Sequence, residues 1–303
     1  MIDFQRVCLA DRTAYLEHLA EFPEKGCEHN FANLFLWGRQ CYAYLGEDVV
    51  YFSQFSRKSV YLFPLCRGSL VQAVNALIQD ARQRGIACRI SGMTEADCRQ
   101  LEAAFPGQFR YHIDRDAFEY VYDIGELASL AGRKYQRKRN HVNRFHSLHP
   151  NAAFEPLTPE NAPEAQQMVA DWYRLRLEED PTQDFQLEQA AIRRALENWQ
   201  ALEMEGLLLR IDGQVAAMTM GSRMSDTTFD IHFEKALEKY EGAYAAINRG
   251  FARYLHEKYP ALTHLNREDD MGLEGLRKAK MSYNPSHLLA KYWACLLEDG
   301  YDY

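Results

Sequence analysis

The 303 residues contain no apolar run approaching the roughly 20 needed to cross a bilayer as a helix. The opening Met1-Ile2-Asp3-Phe4-Gln5-Arg6 lacks the basic-then-apolar order of a secretory leader. Surplus positive charge is missing too. Lys and Arg number 35 against 43 Asp and Glu, a formal charge of −8, which disfavours diffuse binding to nucleic acid or anionic lipid. The seven cysteines, Cys8, Cys27, Cys41, Cys66, Cys88, Cys98 and Cys295, include no C-x-x-C pair and no zinc-ligand spacing. The expectation is reduced thiols, no bound metal and a cytoplasmic protein. Catalytic signatures are equally sparse. With no G-x-S-x-G elbow and no H-E-x-x-H, covalent catalysis is disfavoured against direct transfer between two bound substrates.

The composition itself is globular: 47% hydrophobic, 26% charged and 13% aromatic, enough to fill two cores without disulfide or metal. The length exceeds the roughly 100–200 residues of one ordinary domain. Pro150 closes a helix over 127–149, and Pro156, Pro159 and Pro163 punctuate the segment after it, so the expected domains are 1–150 and 151–303. In the first, strands at 42–45, 49–54 and 59–64 precede an amphipathic helix over 69–84. Its apolar face is Val71, Val74, Leu77, Ile78 and Ala81, and its stop is Gly85. A strand pair is expected across 109–122. The second domain runs strand 153–157, helices 162–177 and 187–202, strand 206–211, an Asp212-Gly213 hairpin turn and strands 214–223 and 227–234. Helix 242–258, strand 262–266, helix 272–281 and an apolar stretch 288–297 complete it. The alternation is that of an α/β mixed sheet flanked by helices.

Within strand 227–234, apolar Phe229, Ile231 and Phe233 alternate with Thr228, Asp230, His232 and Glu234. The period of two therefore places Asp230, His232 and Glu234 on one face. Two carboxylates and an imidazole side by side can take a proton from an attacking nucleophile, although a solvated sheet face has the same look. Lys239-Tyr240-Glu241-Gly242-Ala243-Tyr244 then leads into a helix. A glycine turn at a helix start presents unpaired N–H groups to an anion, and Gly242 would let a phosphate approach closely. Asn266-Arg267-Glu268-Asp269-Asp270 closes the next strand, where ligands of open sheets bind, or serves only to cap the following helix. The stretch 132–141 holds five cations and no acid, with Arg133 and Arg137 on one helical face and Lys134, Lys138 and His141 on another. It reads either as a solvated helix or as a phosphate dock in which Tyr135 and His141 stack on a base.

Several of these residues carry a family likeness. At Asn30-Phe31-x-Asn33-Leu34, at Lys134 through Arg139-Asn140, and at Asp230-x-His232-x-Glu234, the sequence resembles the C-terminal domain family of phosphatidylglycerol lysyltransferases. The likeness continues through Gly242-Ala243-Tyr244 with Ile247-Asn248, Asn266-Arg267-Glu268, and Gly275-Leu276-Arg277-Lys278-x-Lys280 up to Asn284-Pro285. The resemblance implies tandem GNAT folds, related to the Fem-type transferases that build peptidoglycan bridges from aminoacyl-tRNA. It implies transfer of an acyl or aminoacyl group from acyl-CoA or aminoacyl-tRNA, with no permanently bound cofactor. The acceptor would be an amine or hydroxyl of a small molecule, lipid or peptide. In that reading Asp230, His232, Glu234 and Glu268 are candidate bases. Gly242, Ala243, Tyr244, Asn248, Asn266, Arg277 and Lys280 face the donor, and Lys134, Arg137, Lys138, Arg139 and Asn140 dock phosphate or tRNA. GNAT proteins that bind acetyl-CoA show Gln or Arg, two residues, Gly, any residue, then Gly or Ala. Lys239, Gly242 and Tyr244 stand at those places here, and Tyr244 narrows the pyrophosphate cradle. The competing expectation is a GNAT-shaped binding or regulatory module that does no chemistry.

Overall fold

Aromatic and β-branched runs pair as strands, and the amphipathic segments between them cover the resulting sheets. The computed structural model describes residues 1–22, 25–55 and 58–299. Its chain divides into two units, Met1–Glu119 with the segment from Leu289 onward, and Tyr120–Leu288. The first unit contains β1 (Gln5–Arg6), α1 (Arg12–Leu19), α2 (Phe31–Trp37), β2 (Gln40–Leu45), β3 (Asp48–Phe55) and β4 (Lys58–Leu65). It continues through α3 (Leu70–Arg84), β5 (Arg89–Met93), α4 (Glu95–Ala104) and β6 (Phe109–Ile113). The second opens on β7 (Glu119–Asp123), α5 (Ile124–Ser129), α6 (Gln136–Leu148) and β8 (Ala153–Pro156). Then come α7 (Ala162–Glu179), α8 (Gln186–Glu197), β9 (Glu205–Ile211), β10 (Gln214–Arg223), β11 (Thr228–Ala236), α9 (Ala243–Lys258), β12 (His264–Asn266), α10 (Glu274–Met281) and β13 (His287–Leu289). The chain finally returns to the first unit as β14 (Tyr292–Leu296). No helix among the described residues is long and apolar enough to cross a membrane.

The strand orders are β1-β2-β3-β4-β5-β14-β6 and β13-β7-β12-β11-β10-β9-β8. Both sheets are mixed, with β4–β5 and β11–β12 parallel. These orders correct three expectations. The boundary is not at residue 150, because β7 pairs with β12 and α5 packs on α9, where Arg249 donates to the Ala128 carbonyl (3.1 Å). The pair expected across 109–122 is instead one strand in each sheet. The apolar stretch 288–297 is β14, wedged between β5 and β6 rather than part of the second unit. Pattern identifies a strand but not its partner when both candidate partners are apolar.

Local signals fared better. On α3, Val74, Leu77, Ile78 and Ala81 are buried as expected, but Val71 in the first turn is exposed. Ser69 caps its start and Gly85, at φ 67°, ends it. Asp212 (φ 49°) and Gly213 (φ 81°) both adopt the left-handed backbone that a tight hairpin requires. Asn30 and Asn33 have local roles in the first unit. Asn30 caps α2 through Ala32 N–H (3.0 Å), and Asn33 donates to the Cys27 carbonyl (3.0 Å).

A buried charge cluster lies in the same unit. Lys291, 2% exposed, bridges Glu119 (2.6 Å) and Glu28 just before β14 begins. Burial alone would push the ammonium down, but Glu119 and Glu28 outweigh it and hold Lys291 above its usual range. Lys291→Ala leaves the buried Glu119 and the part-exposed Glu28 with no cation between them. A loss of roughly 3–5 kcal/mol of stability is expected in urea denaturation, with Lys291→Met, which keeps the volume, no better.

Candidate functional site

The pairing of β11 with β12 covers three residues, Thr228↔His264, Phe229↔Leu265 and Asp230↔Asn266. β12 then ends while β11 runs six residues further, so the two strands part at their carboxyl ends. On the other side of β11 the ladder with β10 slips at the same level. Met220 pairs with Phe233 and Gly221 with Ile231, leaving His232 as an extra residue. This is a β-bulge. Gly221 permits it, because a Cβ there would lie 1.9 Å from the Asp230 carbonyl oxygen.

The bulge corrects the expected side-chain alternation. Asp230 and His232 lie on the Ser222 side of the sheet. Glu234 crosses to the α9 side, where it accepts from Asn248 (3.3 Å) on α9 and Ala236 joins the α9 core. The trio is therefore a pair on one face and a single carboxylate on the other.

On the first face His232 sits between two partners, Ser222 Oγ at 2.9 Å from Nε2 and Glu268 Oε1 at 3.0 Å from Nδ1. Asp230 Oδ2 is 3.8 Å from the same Nδ1. Asp230 and His232 are buried, while the Glu268 side chain keeps 18% of its surface exposed. Glu268 itself has a left-handed backbone (φ 53°), and its N–H donates to Asn266 Oδ1 (2.8 Å). A non-glycine residue held there is strained by about 1–3 kcal/mol, which Asn266 and the Tyr120 N–H on the Glu268 carbonyl (3.2 Å) help sustain. Ser222 carried no signal in the sequence, since only the β10–β11 register brings it opposite Asp230. Ligand atoms of Asp230, His232 and Glu268 all lie within 4.8 Å of one another, a spacing compatible with a divalent cation.

On the second face, Arg267 Nη2 donates to Glu234 (2.9 Å) and its guanidinium lies over Tyr283 and Tyr122. Burial opposes the Arg267 charge, but Glu234 outweighs it and raises the pKa further.

Other expected donor contacts are committed elsewhere. Arg277 makes a two-pronged pair with Asp270 (2.8 and 2.9 Å), which also accepts from Tyr120 and from Gly272 N–H (3.0 Å). Burial would raise the Asp270 pKa, and Arg277 with these donors drives it well below the usual range. Lys280 is buried and donates to the carbonyls of Arg267 and Asp269. Both cations shape the β12–α10 turn. Asn266 and Asn248 are likewise buried and bonded to Glu268 and Glu234.

Gly242 has a packing reason. It precedes α9 at φ 85°, and a Cβ there would lie 2.8 Å from the His141 carbonyl oxygen and 3.1 Å from Phe145 Cβ on α6. The Cα side of this turn is therefore packed against α6. Ala243 is buried, and the Tyr244 hydroxyl accepts from Trp172 (3.0 Å).

The basic stretch is more structural than expected. Lys134 pairs with Glu126 (2.7 Å), an acid supplied by α5, and Arg139 donates to the carbonyls of Leu130 and Gly132 at the end of α5. Tyr135 is buried and donates to Glu126 (3.0 Å), so it cannot stack on a base. Arg137, Asn140 and His141 are exposed. Lys138 is half-buried, 3.7 Å above the Tyr283 ring.

Known proteins share this architecture. The sequence pattern of the family "Phosphatidylglycerol lysyltransferase, C-terminal" matches residues 19–295, and the chain belongs to that family. A conserved protein of unknown function from Bacteroides thetaiotaomicron is 34% identical, covering 98% of this chain and 100% of that one, with a TM-score of 0.91. The C-terminal domain of a protein from Agrobacterium fabrum assigned as a lysylphosphatidylglycerol synthetase is 13% identical (95% and 92% covered, TM-score 0.68). FemX is 12% identical (99% and 98% covered, TM-score 0.59). The last two likenesses show the fold, a tandem GNAT-type arrangement of two mixed sheets. An uncharacterized protein of Mycoplasmoides gallisepticum is 26% identical over 185 residues, and the match spans 56% of its length.

The Gly242 geometry is directly testable. Gly242→Ala should cost roughly 1–3 kcal/mol in chemical denaturation, through the left-handed backbone and the α6 contact. A neutral effect would mean that α6 does not press on this turn.

Proposed function

We propose that the protein transfers an aminoacyl or acyl group from an activated donor to an amine or hydroxyl acceptor by direct attack in the β11–β12 gap. The carrying observation is that the strands part where His232 and Glu268 meet at 3.0 Å. Membership in a lysyltransferase family supports group transfer. Tyr244, standing where acetyl-CoA-binding GNAT proteins carry Gly or Ala, favours aminoacyl-tRNA over acyl-CoA as donor.

An amine with a pKa near 10.4 is almost wholly protonated at pH 7, and making it nucleophilic costs about 4–5 kcal/mol. A carboxylate that receives the proton as attack proceeds lowers that cost. Glu268 suits this role, because it is the more exposed member of the pair and His232 holds its Oε1. His232 has both ring nitrogens engaged, which makes it a positioning residue. Asp230, beside Nδ1, favours a proton there and so orients the imidazole toward the carboxylates.

Incubation with charged tRNA and, separately, with labelled acetyl-CoA in the presence of amine and hydroxyl acceptors tests the reading. Transfer from charged tRNA is expected, and Glu268→Gln should lower its rate by about 10²–10⁴ with the circular dichroism spectrum unchanged. Binding of either donor without turnover would instead identify a binding module.

A further inference from the structure

The α9 side of the gap holds polar groups that the Glu268–His232 pair does not use. Glu234 lies there between Asn248 Nδ2 and Arg267 Nη2. Three buried polar atoms around it make no hydrogen bond: Arg267 Nη1, Asn248 Oδ1 and Thr219 Oγ1, the last from the residue directly across the ladder from Glu234. An unsatisfied buried polar group costs about 1–3 kcal/mol, so three around one carboxylate mark a wall that a polar ligand or ordered water completes.

Charge selects the kind of ligand. Arg267 (5.0 Å) and Lys138 (3.7 Å) both lie over the Tyr283 ring. Glu234 offsets one of these cations, and the exposed Arg137 is its neighbour on α6, with no carboxylate bound to it among the described ion pairs. Burial, then repulsion from Arg267 and Arg137, pushes Lys138 down to about 8, against the opposing pull of Glu234. The local positive charge is in surplus within a protein of net −8.

We propose that Arg267 and Lys138, sharing the ring of Tyr283, form an oxyanion subsite that takes a carboxylate or phosphate group of a substrate. Arg267 Nη1 supplies a fixed, charge-assisted donor, and Lys138 a mobile point charge beside it. The subsite rests on reading the gap as a substrate site. Its readout is binding alone, so its failure is distinguishable from a failure of transfer.

Calorimetric titration of the full chain with inorganic phosphate and, separately, with acetate, at constant ionic strength, tests it. Saturable binding of at least one is expected; phosphate alone identifies a phosphate ester as the natural group, acetate alone a carboxylate. Lys138→Met should weaken binding about tenfold, the loss of one charge-assisted contact. Lys138→Arg should retain it. Glu234→Gln should tighten it by removing the competing carboxylate. Lys278→Met should change nothing, because Lys278 pairs with Glu274 on the exposed face of α10. Affinity should fall as pH rises from about 7 to about 10 and Lys138 gives up its proton. Should Lys138→Met fail to fold, Glu234→Gln decides the matter. No saturable binding of either anion, equal affinity in Lys138→Met, or no tightening in Glu234→Gln overturns the proposal.

Discussion

In β11 one residue too many separates Phe233 from Ile231 relative to their partners on β10, and the whole site depends on that slip. Because side chains alternate across a strand, a single inserted residue sends everything after it to the opposite face. Asp230 and His232 stay with Ser222, while Glu234 moves to join Asn248 and Arg267. The same level is where β12 ends, so the backbone of β11 beyond Asp230 has lost its parallel neighbour. Gly221 is the enabling residue, since any side chain there would collide with the Asp230 carbonyl.

The charged residues around this gap divide by what they touch. Asp270, Arg277, Tyr120 and Lys280 together fix the turn after β12. That turn in turn holds Glu268 in its left-handed conformation and presents its carboxylate to His232. Buried ion pairs of this type add little net stability compared with apolar packing, and their effect is to select one geometry over others. Lys291 with Glu28 and Glu119 has the same character in the first unit, where it lies one residue before β14.

Helix α6 has two jobs that its composition conceals. Val142 and Phe145 join the core on the α9 side, and the helix also packs closely against Gly242. Lys134 and Arg139 are consumed in fastening α5. The cations of the basic stretch that remain for a ligand are Lys138, turned toward Tyr283, and the exposed Arg133 and Arg137.

Much of the architecture is legible in the sequence, and the reasons are local. Caps at Ser69 and Gly85, the Asp212-Gly213 turn, the apolar face of α3 from Val74 to Ala81, and the alternating residues of β11 up to Ile231 all arise from neighbours a few positions apart. The mixed α/β order and the candidate bases Asp230, His232, Glu234 and Glu268 belong to the same class of information. Where pairing across long separations decides, the amino-acid order is silent. Nothing near Tyr292 says that β14 inserts between β5 and β6, and nothing near Gly221 announces a bulge at His232. The packing of Gly242 against α6 is equally hidden, because that helix lies about a hundred residues earlier in the chain. The sequence by itself determined which segments are strands and helices and which polar residues they carry. The tertiary structure alone decided which of those residues meet, because register and helix packing depend on contacts that no local pattern encodes.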